Sequence, residues 1–379
     1  MLKNFVIASL FLLGLDALFA QNGSTPMEWP IFRGDANLSG YRAGSLPDDF
    51  SLAWSFQTAD EIKSAPIVAS DLVFFGSSDG KIYALTLETG RLVWQYDTGS
   101  TVIAPPLYVA GTVIAGATNG ILYALQADTG EPIWNYATGD QIQGSANWFR
   151  LETSNTIAVV VGSYDGTLYC IGLTDGKKIW EYQSDNFING TPALWQGKVI
   201  FGGCDALIHV LDAQSGRDLA TIDAGAYIAA SPAIADNEAY VGHYGSALVK
   251  ASLDNNNIQW EYGDEVDGMP FFSSPALSAS RVVVGSRDNY LHCISRRSGK
   301  KIWAFYTGGE VDSSPIIVGN RVIFGSSDGI VYMLKLTDGT EVWSYEIGAG
   351  ISGSPAVVAN YILIGSDDGR LYAFKGVSK

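Results

Sequence analysis

The sequence predicts an all-β fold, an eight-bladed β-propeller of four-stranded antiparallel blades, on two observations. A tripeptide that ends in proline recurs along the chain, and a tryptophan follows that proline at a spacing of 28 residues in repeat after repeat, as from Pro66 to Trp94 and from Pro315 to Trp343. The residues between them form short apolar runs separated by Asp-Gly and Thr-Gly pairs, which supply the positive φ angles of tight hairpins. A period near 40 with several strands per repeat is typical of a propeller.

The stretch 73–96, VFFGSSDGKIYALTLETGRLVWQY, shows one repeat clearly. An apolar run over 73–75 leads into the turn 77–80, an alternating run follows, and a second turn at 88–90 precedes the alternating run around Trp94. Alternation with period two indicates strands with one face buried. Together with the strand that follows each proline, every repeat supplies four strands.

The ring is predicted to close through the N-terminal strand around Trp54, which joins the C-terminal blade. Trp54 has no proline anchor before it, and the last anchor, Pro355, has no tryptophan after it. Closure of this kind leaves only short, protected sheet edges. The eight tryptophan positions are Trp54, Trp94, Trp134, Trp180, Ala220, Trp260, Trp303 and Trp343.

Composition and charge restrict the class of partner. The chain has 379 residues, is 47% apolar and 16% charged, and carries a formal net charge of −16. Such a chain can bury a large core, and its charge disfavours nucleic acid, which would repel it. We expect a single monomeric propeller over residues 51–379, preceded by a lead-in segment over 21–50.

Residues 1–20 have the pattern of a signal peptide. Lys3 precedes an apolar run over 5–15 that is too short to span a bilayer, and Ala20 is a plausible cleavage point. An uncleaved anchor or a buried first strand is the alternative. No cysteine follows the run as a lipid-attachment site, and no other apolar run reaches transmembrane length. We therefore expect an exported protein, periplasmic or extracellular, that is soluble or peripherally associated with the envelope.

The three cysteines predict no disulfide framework, because their number is odd and their spacing wide. Cys170 and Cys293 fall at one equivalent position of non-adjacent repeats. We expect them to be buried free thiols.

The turn before each tryptophan is more specific than the period. Residues 84–94, ALTLETGRLVW, recur at 124–134, and residues 29–35, WPIFRGD, precede the first repeat. Both resemble motifs of the pyrroloquinoline-quinone (PQQ)-like propellers, the tryptophan-docking motif and the segment before the first blade, and the resemblance covers residues 29–375. It implies that each tryptophan docks on the neighbouring blade, where its removal would cost roughly 3–5 kcal/mol if it is buried. Ala220 then predicts the loosest junction at blade four.

Two rings of variable residues near the axis are the candidate binding positions, whereas the turn residues Asp79, Asp165, Asp328 and Asp368 are explained by hairpin chemistry. The first ring precedes each anchor and the second lies two residues earlier. The first ring is Lys63, Ile103, Gln143, Asn189, Ala229, Phe272, Asp312 and Ser352; the second is Glu61, Thr101, Gln141, Phe187, Tyr227, Pro270, Glu310 and Gly350. From these, a common funnel is predicted around Glu61, Lys63, Gln141, Gln143, Asn189, Tyr227, Glu310 and Asp312. The alternative is a solvated rim with paired charges.

Two insertions interrupt the 40-residue spacing, on opposite faces of the disc. One spans 147–157, with exposed-looking Trp148, Phe149 and Arg150. The other spans 263–272 and carries Asp264, Glu265, Asp267, Met269 and Phe271. Insertions into a repeat often form a binding face, although neutral loop variation explains them equally well.

The resemblance implies two functions. PQQ-dependent alcohol and sugar dehydrogenases hold the quinone with calcium, and Asn189, Glu310 and Asp312 are possible oxygen ligands. Neither ring holds a tryptophan to stack the quinone, and no adjacent cysteine pair occurs. His209, His243 and His292 share no metal-ligand spacing. We identify no catalytic residue, expect no cofactor, and keep PQQ with calcium as the alternative.

The preferred hypothesis is an exported, non-catalytic scaffold that binds envelope proteins. Within the family, the chain looks most similar to the outer-membrane assembly factor B group, from which it departs by lacking the lipoprotein cysteine. A third hypothesis is glycan binding through the aromatics Phe187, Tyr227 and Phe271.

Overall fold

The computed structural model describes residues 28–263 and 268–377, and over this range the chain consists of strands, turns and loops. Thirty-three strands form eight separate sheets, each built from consecutive strands except the last two, which also take up strands from the N-terminal part of the described chain. The predicted eight-bladed propeller is confirmed. Nothing helical in the described residues has the length and apolar character that a bilayer crossing requires.

Blades one to four each contain four antiparallel strands, and the first strand of each lies nearest the axis. They are β3 (Ile67–Ala69), β4 (Leu72–Gly76), β5 (Lys81–Thr86) and β6 (Leu92–Asp97) in blade one; β7 (Leu107–Val109), β8 (Thr112–Gly116), β9 (Ile121–Gln126) and β10 (Pro132–Ala137) in blade two; β11 (Asn147–Arg150), β12 (Ile157–Gly162), β13 (Thr167–Gly172) and β14 (Lys178–Gln183) in blade three; and β15 (Ala193–Trp195), β16 (Lys198–Gly202), β17 (Leu207–Asp212) and β18 (Asp218–Asp223) in blade four.

Blades five to eight follow the same order, with one strand added to blade seven and one donated to blade eight. They are β19 (Ala233–Ala235), β20 (Glu238–His243), β21 (Ala247–Ser252) and β22 (Asn257–Gly263) in blade five; β23 (Ala276–Leu277), β24 (Arg281–Gly285), β25 (Tyr290–Ser295) and β26 (Lys301–Tyr306) in blade six; β27 (Ile316–Val318), β28 (Arg321–Gly325), β29 (Ile330–Lys335) and β30 (Glu341–Glu346) with β1 (Tyr41–Arg42) in blade seven; and β31 (Ala356–Val358), β32 (Tyr361–Gly365), β33 (Arg370–Gly376) and β2 (Phe50–Gln57) in blade eight.

The ring closes as predicted, through the strand that contains Trp54. Strand β2 pairs antiparallel with β33, in a register that runs from Phe50 opposite Gly376 to Gln57 opposite Arg370. Because the two ends of the chain share one blade, neither end alone completes the fold.

The core lies between adjacent blades. The three inner strands of a blade are buried on both faces, whereas the outermost strand alternates between buried and exposed residues, as in the pattern of Leu92–Asp97. The interface of blades one and two shows the packing, in which Phe74 and Trp94 of one blade meet Val113 and Tyr123 of the next. Burial of each such side chain contributes about 1.5–3 kcal/mol.

Each tryptophan of the repeat reaches across to the next blade. The indole Nε1 of Trp94 donates to the Ala127 carbonyl at 2.8 Å, and a Cβ on Gly130 would lie 2.6 Å from the indole ring. Gly130 also has a φ of 73°, so both its conformation and the ring above it require glycine. The other donor–acceptor pairs are Trp54 to Leu87, Trp134 to Leu173, Trp180 to Ala213, Trp260 to Arg296, Trp303 to Leu336 and Trp343 to Phe50.

The junction between blades four and five is built differently. Ala220 replaces the tryptophan, and Asn256, with a φ of 51°, occupies the left-handed turn position that glycine fills elsewhere. A second tryptophan, Trp195 of β15, crosses this junction and donates from Nε1 to the Asn237 side chain of blade five at 2.5 Å. A tryptophan on a different strand therefore supplies an indole contact across this junction.

The lead-in segment forms part of the propeller. We call residues 29–42 the plug, because they run past the inner strands of seven blades and cover one end of the axial channel. Backbone carbonyls of the plug accept hydrogen bonds from the inner strands in blade order. The pairs are Trp29 with Val68, Pro30 with Tyr108, Ala36 with Leu194, Asn37 with Ile234, Ser39 with Leu277 and Gly40 with Ile317; the Asn147 side chain of blade three also donates to Ala36.

Arg33 anchors the plug near the axis. Its guanidinium is buried and donates to the Pro315 and Pro275 carbonyls, each at 2.6 Å. Burial lowers the pKa of Arg33 to about 9, and nearby Asp35 partly opposes this. These two anchor carbonyls belong to blades six and seven, so one side chain ties the plug to both.

All three cysteines are buried and free. Burial raises the pKa of Cys170 and of Cys293 to about 12, which leaves them as protonated, unreactive thiols. The prediction of structural free thiols is confirmed for both.

Candidate functional site

The variable rings lie at the end of the axial channel opposite the plug. The first-ring residue lies before the anchor proline, whereas the residue that hydrogen-bonds to the plug lies after it. In blade one these residues are Lys63 and Val68, on either side of Pro66. We call this open end the funnel.

A third ring, which the sequence reasoning missed, completes the funnel. In every blade the residue before the hairpin Asp, Asn or Gly donates its backbone N–H to the carbonyl of the second ring, as Tyr164 does to Gln141 at 2.9 Å. This position varies while the turn around it repeats, so the criterion that found the first two rings would have found it. The third ring is Ser78, Thr118, Tyr164, Cys204, Tyr244, Arg287, Ser327 and Asp367.

The funnel narrows to an axial cavity of about 260 Å³ on the side of blades two to six. Two of the predicted residues, Gln143 and Asn189, line it, and Phe32 of the plug also contributes to its wall. The other lining residues are Ile103, Pro105, Gly144, Tyr164, Gly190, Thr191, Ala229, Ala230, Ser231, Tyr244, Phe272 and Ser274. Of the described residues that line this cavity, none carries a charge.

An arc of buried hydroxyls forms part of the cavity wall. The Thr191 hydroxyl oxygen accepts from the Ser145 backbone N–H at 2.9 Å, and Ser231 accepts from Thr191 at 2.8 Å. The same contact continues around the ring, where backbone N–H groups of one blade donate to a serine hydroxyl oxygen of the next. The accepting residues are Ser274, Ser314 and Ser354. Because each oxygen acts as an acceptor here, its hydrogen remains available to donate. The arc joins blades and presents hydroxyl donors near the axis.

Aromatic side chains occupy one half of the funnel, which we call the aromatic sector. Tyr164 and Phe187 stack with ring centroids 5.1 Å apart and planes 10° apart, and Tyr244 meets Phe272 edge to face at 4.8 Å. Tyr227 is 58% exposed, and Phe187 and Tyr244 are nearly half exposed. These five residues present flat rings to solvent above the cavity.

The other half of the funnel carries paired charges. Lys63 bonds Glu61 at 2.6 Å, and this hydrogen bond raises the pKa of Lys63. Arg287 contacts Asp312 at 2.8 Å and Glu310 at 3.5 Å. The charged side chains at blades one and seven therefore form two separate groups, each with its own ion pairs. This arrangement is the one expected of a solvated rim with paired charges.

Two amide side chains of the first ring, Gln143 and Asn189, line the axial cavity. The Gln143 amide donates to the Gln141 side chain at 3.0 Å. The Asn189 Nδ2 atom lies 3.7 Å from the Cys204 sulfur, and its buried Oδ1 has no hydrogen-bond partner within the described chain. A buried amide oxygen without a donor is costly unless a ligand or water supplies one.

Three aromatic residues have surroundings that differ from those expected. Phe271 is only 4% exposed and packs against Tyr262 and His292, so it is not a funnel aromatic; like Ile62 and Val102 in other blades, it lies between a second-ring and a first-ring residue, where the side chain is buried. Trp148 and Phe149 are half-buried against neighbouring blades rather than exposed. Within the inserted loop, Met269 is 45% exposed.

The three possible oxygen ligands for calcium have different surroundings in the structure. Asn189 lines the axial cavity, whereas Glu310 and Asp312 are held by Arg287 and are not part of its wall. The inserted acids Asp264, Glu265 and Asp267, and the signal segment with Ala20, lie outside the described residues.

Two histidines replace tyrosine at one position of the repeat. In regular blades the tyrosine hydroxyl donates to the turn carboxylate, as Tyr83 does to Asp79 at 2.6 Å. His209 and His292 instead place Nε2 2.9 Å from Asp205 and Asp288. His292 also faces a cavity of about 190 Å³ beside Met269. In the described part of the chain, no group of three or more His, Cys, Asp or Glu residues is arranged to hold a metal ion.

Two families match the chain. Residues 138–379 match the family described as the β-propeller of the beta-alanine-activating enzyme, and residues 47–163 match the family described as outer membrane protein assembly factor BamB. No curated protein sequence matches the chain.

Solved structures share the fold at low sequence identity. BamB from Moraxella catarrhalis superposes with a TM-score of 0.72 and 18% identity over 86% of this chain and 100% of its own. The quinohemoprotein alcohol dehydrogenase from Comamonas testosteroni gives 0.78 and 13% over 95% of this chain and 82% of its own. The computationally designed protein Ika8 gives 0.71 and 17% over 84% of this chain and 97% of its own. A similar architecture therefore serves an assembly factor, an oxidoreductase and a designed protein.

Proposed function

The chain belongs to the PQQ-like β-propeller family, and from that premise we propose that it is an exported, non-catalytic scaffold that binds envelope proteins through its funnel. The observation that carries the proposal is the contrast between the two ends of the axial channel. The plug covers one end with hydrogen bonds to seven blades, whereas the other exposes Phe187, Tyr227 and Tyr244 beside paired charges.

Exposed aromatics beside ionic groups have the chemistry of a protein interface. Aromatic residues and arginine are enriched in such interfaces, and charged groups at the rim steer association. Arg287 combines both features, since it lies 3.9 Å above the Phe272 ring and pairs with Asp312. The similarity to an outer membrane assembly factor and the apolar leader over residues 5–15 support a partner in the cell envelope.

A photo-crosslinking experiment tests this proposal with a matched control. A benzophenone amino acid replaces Tyr227, which is 58% exposed in the funnel, or Tyr306, which is 61% exposed on the outer strand β26. After irradiation in cells, the variant at 227 is expected to give adducts with envelope proteins that the variant at 306 does not. Identical adduct patterns at the two positions, or none at 227, would refute the funnel as the binding face.

A PQQ-dependent dehydrogenase is the second candidate function, supported by the likeness to the Comamonas testosteroni enzyme in fold. The residues of the axial cavity do not fit the cofactor. The described cavity wall offers no cation for the carboxylates of the quinone, and Arg287 beside Phe272 is already paired with Asp312 and Glu310. The wall also lacks, among those residues, the carboxylate ligands that calcium prefers. We therefore derive no redox step.

Reconstitution distinguishes the two candidates. The purified protein is incubated with PQQ and Ca²⁺, and dye-linked oxidation of alcohols and aldoses is followed. The scaffold proposal predicts no turnover above a protein-free control. Saturable oxidation that requires both the protein and the quinone would overturn it.

A further inference from the structure

We propose that the axial cavity binds one neutral pyranose sugar, either free or as the terminal unit of a glycan. This goes beyond the proposed function, because it assigns a small-molecule ligand to the cavity at the base of the same funnel. The cavity of about 260 Å³ falls below the range of roughly 300–1,000 Å³ typical of sites for drug-sized ligands. It therefore suits a single small unit whose remainder extends into the open funnel.

The polarity of the wall favours a ligand with many hydroxyl groups. Its buried Asn189 Oδ1 requires a donor, while the Thr191, Ser231 and Ser274 hydroxyls retain hydrogens that require acceptors. A sugar hydroxyl donates and accepts at once, so neighbouring hydroxyls of one ring satisfy both needs. The side-chain amide of Gln143 adds one more donor group and one more acceptor.

The aromatic sector supplies the complementary apolar contact. A pyranose ring exposes C–H bonds on its flat faces, and aromatic faces carry the negative part of the ring quadrupole. Tyr164 and Tyr244 line the cavity from the third ring, each held by a neighbouring aromatic, Phe187 and Phe272. These contacts limit their rotamers before a ligand arrives, which reduces the entropy cost of binding.

Because none of the described wall residues is charged, the cavity is expected to prefer neutral sugars to anionic ones. An anionic sugar would bury its carboxylate without a cation, because Arg287 is engaged by Asp312 and Glu310. Neutral hexoses and N-acetylhexosamines are therefore expected to bind, and uronic or sialic acids are not.

Saturation-transfer NMR with the purified chain tests the inference. The probes are glucose, galactose, mannose and N-acetylglucosamine, their methyl glycosides and β-linked disaccharides, with glucuronic acid as the charged comparison. Saturation is expected to reach the ring protons of at least one neutral sugar. Stronger binding of disaccharides identifies a glycan end as the ligand, whereas equal binding of the monosaccharide identifies the free sugar.

Two variants locate the site. Asn189→Ala removes the unpaired acceptor and Tyr244→Ala removes a half-exposed ring, and each is expected to raise the dissociation constant by about tenfold or more. Tyr306→Ala, an exposed tyrosine on β26, is expected to bind like the unmodified protein. Circular dichroism confirms that the three variants fold alike.

Three results would overturn the inference: no transfer to any neutral sugar at millimolar concentration, unchanged binding in both cavity variants, or equal binding of glucuronic acid. Its failure is distinguishable from that of the proposed function. Protein adducts at position 227 without sugar binding contradict the sugar site alone, and sugar binding without adducts contradicts the protein partner alone.

Discussion

Replacement of Trp94 by alanine should lower the free energy of unfolding of the propeller more than replacement of a solvent-exposed residue on the same strand. The Trp94 side chain is 8% exposed, packs with its centroid 5.8 Å from that of Phe74, lies over Gly130 and donates to the Ala127 carbonyl at 2.8 Å. Truncation of a buried tryptophan costs about 3–5 kcal/mol. Since domains are stable by about 5–15 kcal/mol, this loss is a large fraction of the total.

Replacement of Trp94 by phenylalanine separates the stability that aromatic packing contributes from the stability that the indole hydrogen bond contributes. Phenylalanine keeps most of the contact with Gly130 but leaves the Ala127 carbonyl without the indole donor, which is expected to cost about 1–3 kcal/mol. Gln95→Ala is the matched control, because Gln95 is exposed on the same strand and its replacement should change stability by less than about 0.5 kcal/mol.

Urea unfolding followed by circular dichroism ranks the three variants, and hydrogen exchange locates the loss at the interface of blades one and two. The reasoning is refuted if Trp94→Ala unfolds at the same urea midpoint as Gln95→Ala. The same exchange experiment tests whether the junction at Ala220 is the least protected in the ring. Uniform protection there would contradict that prediction.

Three further predictions concern other contacts. Trp195→Ala should destabilise by about 1–3 kcal/mol, because it removes a partly buried indole that bonds Asn237; exchange rates unchanged between blades four and five would contradict this. Stability should fall at both ends of the pH range. Burial and the hydrogen bond to Asp165 raise the pKa of Tyr169 to about 12, so its contribution is complete below pH 10 and is lost as the pH rises to 12. The pKa of Asp165 is lowered, since burial is outweighed by its donors, so its contribution is complete well above pH 3.8 and is lost below; Asp165→Asn should weaken the acid limb of a urea-midpoint profile. Arg33→Met should lower the urea midpoint by breaking the bonds to two anchor carbonyls, and a midpoint equal to that of the unmodified protein would show that the plug needs no guanidinium.

The ring could be predicted from sequence because its determinants are local and repeated. The spacing of Trp94 from Pro66 is set by the length of four short strands, and Gly90 is required by both its φ of 65° and the Trp54 ring above it. Packing of this kind imposes the same residue at the same place in each blade, so it leaves a periodic pattern.

The funnel and the plug were harder to predict, because their contacts join distant residues and occur once. Arg33 has the appearance of a surface charge, and only the assembled ring brings it to the carbonyls of Pro275 and Pro315. The interpretation of Phe271 as a rim aromatic is wrong, because it falls between the second-ring Pro270 and the first-ring Phe272, at a position that is buried in every blade. Gln143 and Asn189 line the axial cavity, whereas Tyr164 and Tyr244, which also line it, belong to turns.

The plug also has a consequence for the order of folding. Its carbonyls accept from strands that extend from Val68 to Ile317, so its docking site does not exist until seven blades have been synthesised and arranged around the axis. The segment that leaves the ribosome early is thus among the last to be fixed, which is a high contact-order and intrinsically slow step. Until that step the plug end of the channel is uncovered, and the channel is closed at that end only after residues 29–42 have docked.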